Sequence, residues 1–131
     1  MGLKGGHSGI DIHENRANSL RCLGRALDLI DRKAGGLRLY SFEGGSKRNA
    51  IPREAVARLA VAEEQKDAFI REMHRRSEAI LEEYRPIEPK LRIQLEDSSP
   101  PPKVMAAAPQ AQALRALYAV HNGVYRMSPH I

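Results

Sequence analysis

At 131 residues the chain suits one ordinary domain, burying roughly two-thirds of its unfolded surface, and excludes two independently packed units. With no Trp, two Phe and four Tyr, its core has to be built from Leu, Ile, Val and Ala. The net charge of +5 raises nucleic acid as a partner, but the 21 basic and 16 acidic residues are interleaved, as in EEQKDAFIREMHRRSEAILEEYR. Such interleaving reads as a solvated helix face with intrahelical pairs rather than a phosphate-binding stripe, so no nucleic-acid partner is expected.

The first helix is expected from about Glu14 to Lys33, where Ala17, Leu20, Leu23, Leu27 and Ile30 recur at three- and four-residue steps. Gly35 and Gly36 end it. Gly24 inside that helix costs about 1 kcal/mol relative to Ala, which points to close approach of another element there. Cys22 sits among its leucines and reads as a buried structural thiol; a single cysteine excludes an internal disulfide and fits a reducing, cytoplasmic setting.

Leu37 to Phe42 reads as a strand and, after the Gly44-Gly45-Ser46 break, about Arg53 to Val61 as another. A second helix follows from about Gln65 to Tyr84, with Phe69, Ile70, Met73, Ile80, Leu81 and Tyr84 on one face, stopped by Pro86 and Pro89. Leu91, Ile93 and Leu95 alternate with Arg92, Gln94 and Glu96, the pattern of a half-exposed strand. Ser98 to Pro102 interrupts regular structure, an alanine-rich helix runs from roughly Ala106 to Val120, and VYRMSPHI opens a segment that the chain leaves unfinished. The expected organisation is therefore 1–97 as the main α+β unit, 98–105 as a proline-rich linker and 106–131 as a C-terminal helix with its continuation. With one strand placed before residue 1, the first six elements make the split βαβ pattern of a ferredoxin-like fold, an antiparallel sheet with two helices on one face. No apolar run approaches the roughly 20 residues of a membrane span, and no charged-then-apolar leader opens the chain, so no membrane partner is expected.

Chemistry-bearing residues are few. His13-Glu14 is followed by Asn15-Arg16-Ala17 and makes no HExxH, while His121 and His130 lack an acidic neighbour at ligand spacing. His74 falls beside the apolar stripe of the second helix and reads as a packing residue, and His13 as one that leads into the first helix. Two stretches stand apart. Gly-Gly-His-Ser-Gly (5–9) presents His7 among three glycines, and GGSKRNAIPRE (44–54) places Asn49 on a short polar connection between two strands. Taken singly, the first fits a strand-to-helix turn and the second a loop whose Asn satisfies local backbone.

Together, in this order and separated by one helix and one strand, GLKGGHSGIDIHENRAN and FEGGSKRNAIPREA resemble the lid of the aminoacyl-histidine dipeptidases, carnosinase-like members of a two-zinc metallopeptidase family that includes carboxypeptidase G and succinyl-diaminopimelate desuccinylase. The closing NGVYRMS resembles the same enzymes. The resemblance implies a ferredoxin-like lid, inserted into a separate catalytic domain and commonly mediating homodimerisation. It implies that His7 reaches the developing oxyanion, often in the partner subunit's site, and that Asn49 helps hold a dipeptide substrate. The attacking water bridges two zinc ions in such enzymes, with ligands and a catalytic glutamate from the catalytic domain. Nothing in this chain corresponds to those ligands. The expectation is thus a lid segment of an Xaa-His dipeptidase, inactive alone, binding no metal itself. The residue patterns also fit a free-standing ferredoxin-like binding or assembly module with a basic surface.

Overall fold

A computed structural model of the chain describes residues 1–34 and 36–123. Its regular elements are α1 (Ser19–Ala34), β1 (Leu37–Gly44), β2 (Ala55–Val61), α2 (Lys66–Tyr84) and α3 (Ala107–Ala119), with single 3-10 turns at Ile12–Glu14 and Glu63–Gln65. The expected helix end at Gly35 and the segment VYRMSPHI, with His130 in it, lie outside the described residues.

The class is α+β: an antiparallel hairpin of β1 and β2 carries the helices on its inner face. Leu37 and Leu39 of β1 meet Leu27 and Ile30 of α1, Phe69 and Met73 of α2 and Leu114 of α3 in one cluster, with Ala57, Leu59 and Val61 of β2 packed against it. A second cluster joins Leu3, Ala17, Cys22, Ala26 and Ile80. α1 therefore buries more than the single stripe its sequence shows, because α2 and α3 both pack on it. Gly24 lies under α3, where an added Cβ would come 3.0 Å from the Leu117 Cβ. Helix–helix approach of that kind favours a residue without a side chain.

α1 begins at Ser19, later than its apolar stripe suggests. Asn15 takes a left-handed conformation (φ 54°), and the Asn18 carboxamide oxygen accepts the Arg21 N–H at 3.3 Å, the capping arrangement that starts the helix. In the hairpin, Leu37↔Val61 and Leu39↔Leu59 pair in one register, and Ser41↔Arg58 through Gly44↔Ala55 in a register shifted by one. Tyr40 is the extra residue. Leu39 and Phe42 are an odd number of positions apart, so strict alternation would send one of them to solvent; the bulge at Tyr40 lets both pack on the core.

The alternating segment from Leu91 to Leu95 is not a strand, which corrects the sequence reading. Its backbone makes one reciprocal pair, Met1 N to Arg92 O and Arg92 N to Met1 O, both at 2.8 Å, and among the described residues no continuous ladder. Leu91 and Ile93 still pack inward, which accounts for the period-two pattern, while Leu95 stays exposed. Alternation reports one-sided burial, and a strand also needs a neighbour along its edge.

Residues 98–105 carry no regular structure and reach β1 at Met105, whose N–H donates to the Leu39 carbonyl at 2.7 Å. From α3, the fully buried Gln110 reaches the same strand.

Burial raises the Cys22 thiol above its ordinary value of 9.0, and burial likewise raises Tyr84 above 10.0. The unfolded chain ionises first at both groups, so their contribution to stability is complete at neutral pH and declines as pH rises through 9 and beyond. Resistance of the wild type to urea should fall between pH 7.5 and 9.5, and Cys22→Ala should flatten that dependence. Alkylation of Cys22 at pH 8 should proceed only as fast as the protein opens; rapid labelling of the folded chain would contradict its burial.

Candidate functional site

Both motifs singled out from the sequence lie side by side. Ser8 N–H donates to the Asn49 carbonyl at 3.0 Å and Ile51 N–H to the Gly6 carbonyl at 2.8 Å, so that His7 faces Ala50 in an antiparallel bridge. Elements far apart in sequence, the loop before α1 and the β1–β2 connection, thus share one backbone frame.

Three charged side chains fix the loop that carries His7. The buried Glu88 carboxylate accepts the Lys4 N–H at 2.8 Å and the Ala17 N–H at 3.1 Å, clamping the loop at both ends. Arg16 spans its interior: Nη1 donates to the Gly5 carbonyl at 2.6 Å, and Nε and Nη2 donate to Glu14. The bond to Glu14 raises the Arg16 guanidinium above its usual pKa. Arg53, beyond Asn49, donates from Nε to the Leu3 carbonyl at 3.1 Å. Gly5 (φ 66°) and Gly6 (φ 149°) occupy conformations that favour glycine. A Cβ at Gly5 would run into Arg53 Cγ, and one at Gly6 would meet Arg16 Nη1 at 2.6 Å. These glycines make room for the chain's own arginines.

At the loop's tip His7 N–H donates to Asp11 Oδ2 at 2.7 Å, and the His7 carbonyl accepts from Ile10 and Asp11, closing a tight turn. The imidazole is exposed, and its Nδ1 accepts the Gly9 N–H at 3.0 Å. In a neutral ring, an accepting Nδ1 leaves the proton on Nε2, so the loop's own backbone sets the tautomer with an Nε2–H donor facing outward. Asn49 sits in the turn Lys47–Ala50, exposed, and among the described residues its carboxamide has no hydrogen-bond partner. It does not satisfy local backbone, the simpler role its sequence allowed.

Beside the two motifs an open cleft of about 540 Å³ is lined by Ser8, Ile12, Asn18, Leu20, residues 44–48, Ala50, Ile51, Pro52 and Asn122. Lys47 and Arg48 give it a cationic wall with no carboxylate in the lining. Among the described residues no three His, Cys, Asp or Glu side chains come together to hold a metal ion. His13 and His74 are exposed. The donors among the described residues do not fit the zinc ions that the resemblance implies.

Residues 1–85 match a sequence family described as the peptidase dimerisation domain. The chain belongs to that family. Over 127 residues the chain is 37% identical to the cytosol non-specific dipeptidase of Escherichia coli (strain K12), a match covering 97% of this chain and 26% of that protein. Its structure is similar to the crystal structure of aminoacylhistidine dipeptidase from Vibrio alginolyticus, with a TM-score of 0.92 and 40% identity over 99% of this chain and 26% of that one. The chain thus spans about a quarter of the length of these relatives.

Sequence reasoning missed Glu88, Arg16 and Arg53 as the supports of this site. A hint existed for Glu88, a carboxylate between Ile87 and Pro89 just past the end of α2, where local helix pairing no longer explains it. Glu88→Ala should strand two N–H groups and lower stability by about 3 kcal/mol, measured by chemical unfolding. Long-range nitrogen NMR at pH 8 should show His7 with its proton on Nε2, and a predominant Nδ1–H form would contradict the loop geometry.

Proposed function

We propose that this chain is the lid and dimerisation segment of a metal-dependent dipeptidase acting on Xaa-His dipeptides, with His7 as an oxyanion donor and Asn49 as a substrate contact. The observation that carries the reading is the backbone pairing of the two motifs, which brings together the segments that bear an exposed imidazole and an unengaged carboxamide, beside a cleft lined by their neighbours Ser8, Arg48 and Ala50. The names of the two relatives support the dipeptidase class. Their length, about four times that of this chain, leaves room for a catalytic domain that supplies the metal, which on the stated resemblance is a pair of zinc ions.

Attack on a peptide carbonyl concentrates negative charge on the former carbonyl oxygen. A donor already aimed there stabilises the transition state more than the substrate, and loss of one such donor costs on the order of 3 kcal/mol. His7 suits the task because its Nδ1 is held by the Gly9 N–H, so the ring does not have to reorient as charge develops. Asn49 donates and accepts without adding charge, as suits a group that orients a dipeptide. On this reading the lid works as a homodimer, one copy's His7 serving its own or its partner's catalytic domain, in a cytoplasmic enzyme.

In the full-length enzyme that carries this domain, His7→Ala should lower kcat by roughly a hundredfold while metal content stays the same. Asn49→Ala should act mainly on KM. An unchanged kcat in the His7 variant would remove His7 from catalysis. The 131-residue chain alone, supplied with zinc and an aminoacyl-histidine dipeptide, should give no turnover; clear hydrolysis would overturn the reading.

A further inference from the structure

A strand with a neighbour on one side only turns peptide groups toward the open side, and unpaired groups there invite a strand from another molecule. β1 has β2 on one side. On its other side the Leu37 carbonyl, the Leu39 N–H and the Leu39 carbonyl are all engaged by residues of the same chain. Gln110 Oε1 accepts the Leu39 N–H at 2.8 Å, Gln110 Nε2 donates to the Leu37 carbonyl at 3.0 Å, and the Met105 N–H donates to the Leu39 carbonyl at 2.7 Å. Arg38 Nη1 gives the Leu37 carbonyl a second donor at 2.8 Å.

The chemistry of Gln110 fits this use. A carboxamide carries one acceptor and one donor group side by side, as a peptide unit does, and so answers the two groups a strand edge offers. Gln110 is fully buried, where an unsatisfied amide is costly, and its Nε2 also donates to Asp31 Oδ1 of α1 at 3.2 Å. Its oxygen and nitrogen are therefore both engaged, and the neighbours on the two sides fix which is which. Leu114, one turn further along α3 and fully buried, holds the helix against the core at this point. Residues 105–110 lie outside the 1–85 stretch that matches the dimerisation family, so this cover is supplied by a part of the chain beyond the matched region.

We propose that Met105 and Gln110 form a lock on the β1 edge, standing in cis where a strand of a second copy would pair. The domain then does not assemble by extending its sheet through β1, and any dimer of this chain meets through another surface. The inference is independent of the roles of His7 and Asn49.

Sedimentation velocity of the 131-residue chain over a wide concentration range, together with amide exchange by NMR, tests it. Gln110→Leu keeps a similar volume and removes both edge hydrogen bonds. It should speed exchange of the Leu39 amide about tenfold at low concentration and add a larger, concentration-dependent species absent from the wild type. Met105→Pro removes the other donor from an exposed position outside the helix, and should add the same species to a smaller extent. Unchanged Leu39 protection in Gln110→Leu, or faster exchange with no added association, overturns the lock. Should Gln110→Leu not fold, Met105→Pro decides: added association supports the lock and unchanged sedimentation overturns it.

Discussion

Much of this architecture depends on where one carboxylate is allowed to be. Glu88 is almost wholly removed from water, a position that would be costly for a charge without partners, and its two oxygens accept the N–H groups of Lys4 and Ala17. Those two residues bracket the segment that carries His7. The same contact joins the start of the chain, the approach to α1 and the turn that follows α2, so elements distant in sequence meet at one group. Around it Leu3 and Ala17 pack with Ile80, which gives the clamp an apolar wall and keeps water from competing for the carboxylate.

Within that clamp the loop is held from inside by Arg16 and from the neighbouring connection by Arg53. Positive charge is thus spent on backbone carbonyls, a use that net charge alone does not reveal. The result is an imidazole at the tip of a short, internally braced turn. Its ring nitrogen is engaged by the turn's own backbone, so its orientation is set within the loop itself. Preorganisation of this kind is what an oxyanion donor requires.

The helices and the hairpin were legible because burial of one face leaves a periodic trace; Leu27 with Ile30 and Phe69 with Met73 sit where the periodicity puts them. The pairing of the His7 and Asn49 stretches was legible only through family resemblance, since no local pattern links a turn near residue 7 to a turn near residue 49. Glu88 and Gln110 were hard to read for the opposite reason. A polar letter in a sequence reads as surface, and only the full set of partners makes burial of such a group favourable. For Gln110 the trace was Leu114, four residues on and on the same helical face. The segment 91–95 misled in the other direction, because its alternation records how Leu91 and Ile93 pack and says nothing of what lies along its edge.

Tyr40 shows how far an effect can travel without contact. One inserted residue changes the phase of β1 and increases the local twist, so the outer half of the hairpin, Phe42 to Gly44 against Ala55 to Ala57, is turned relative to the inner half. The connection bearing Asn49 leaves from that outer half. Its heading toward the His7 loop is therefore set at Tyr40, a residue outside the cleft. For the connection that carries Asn49, such a residue acts as an aiming device.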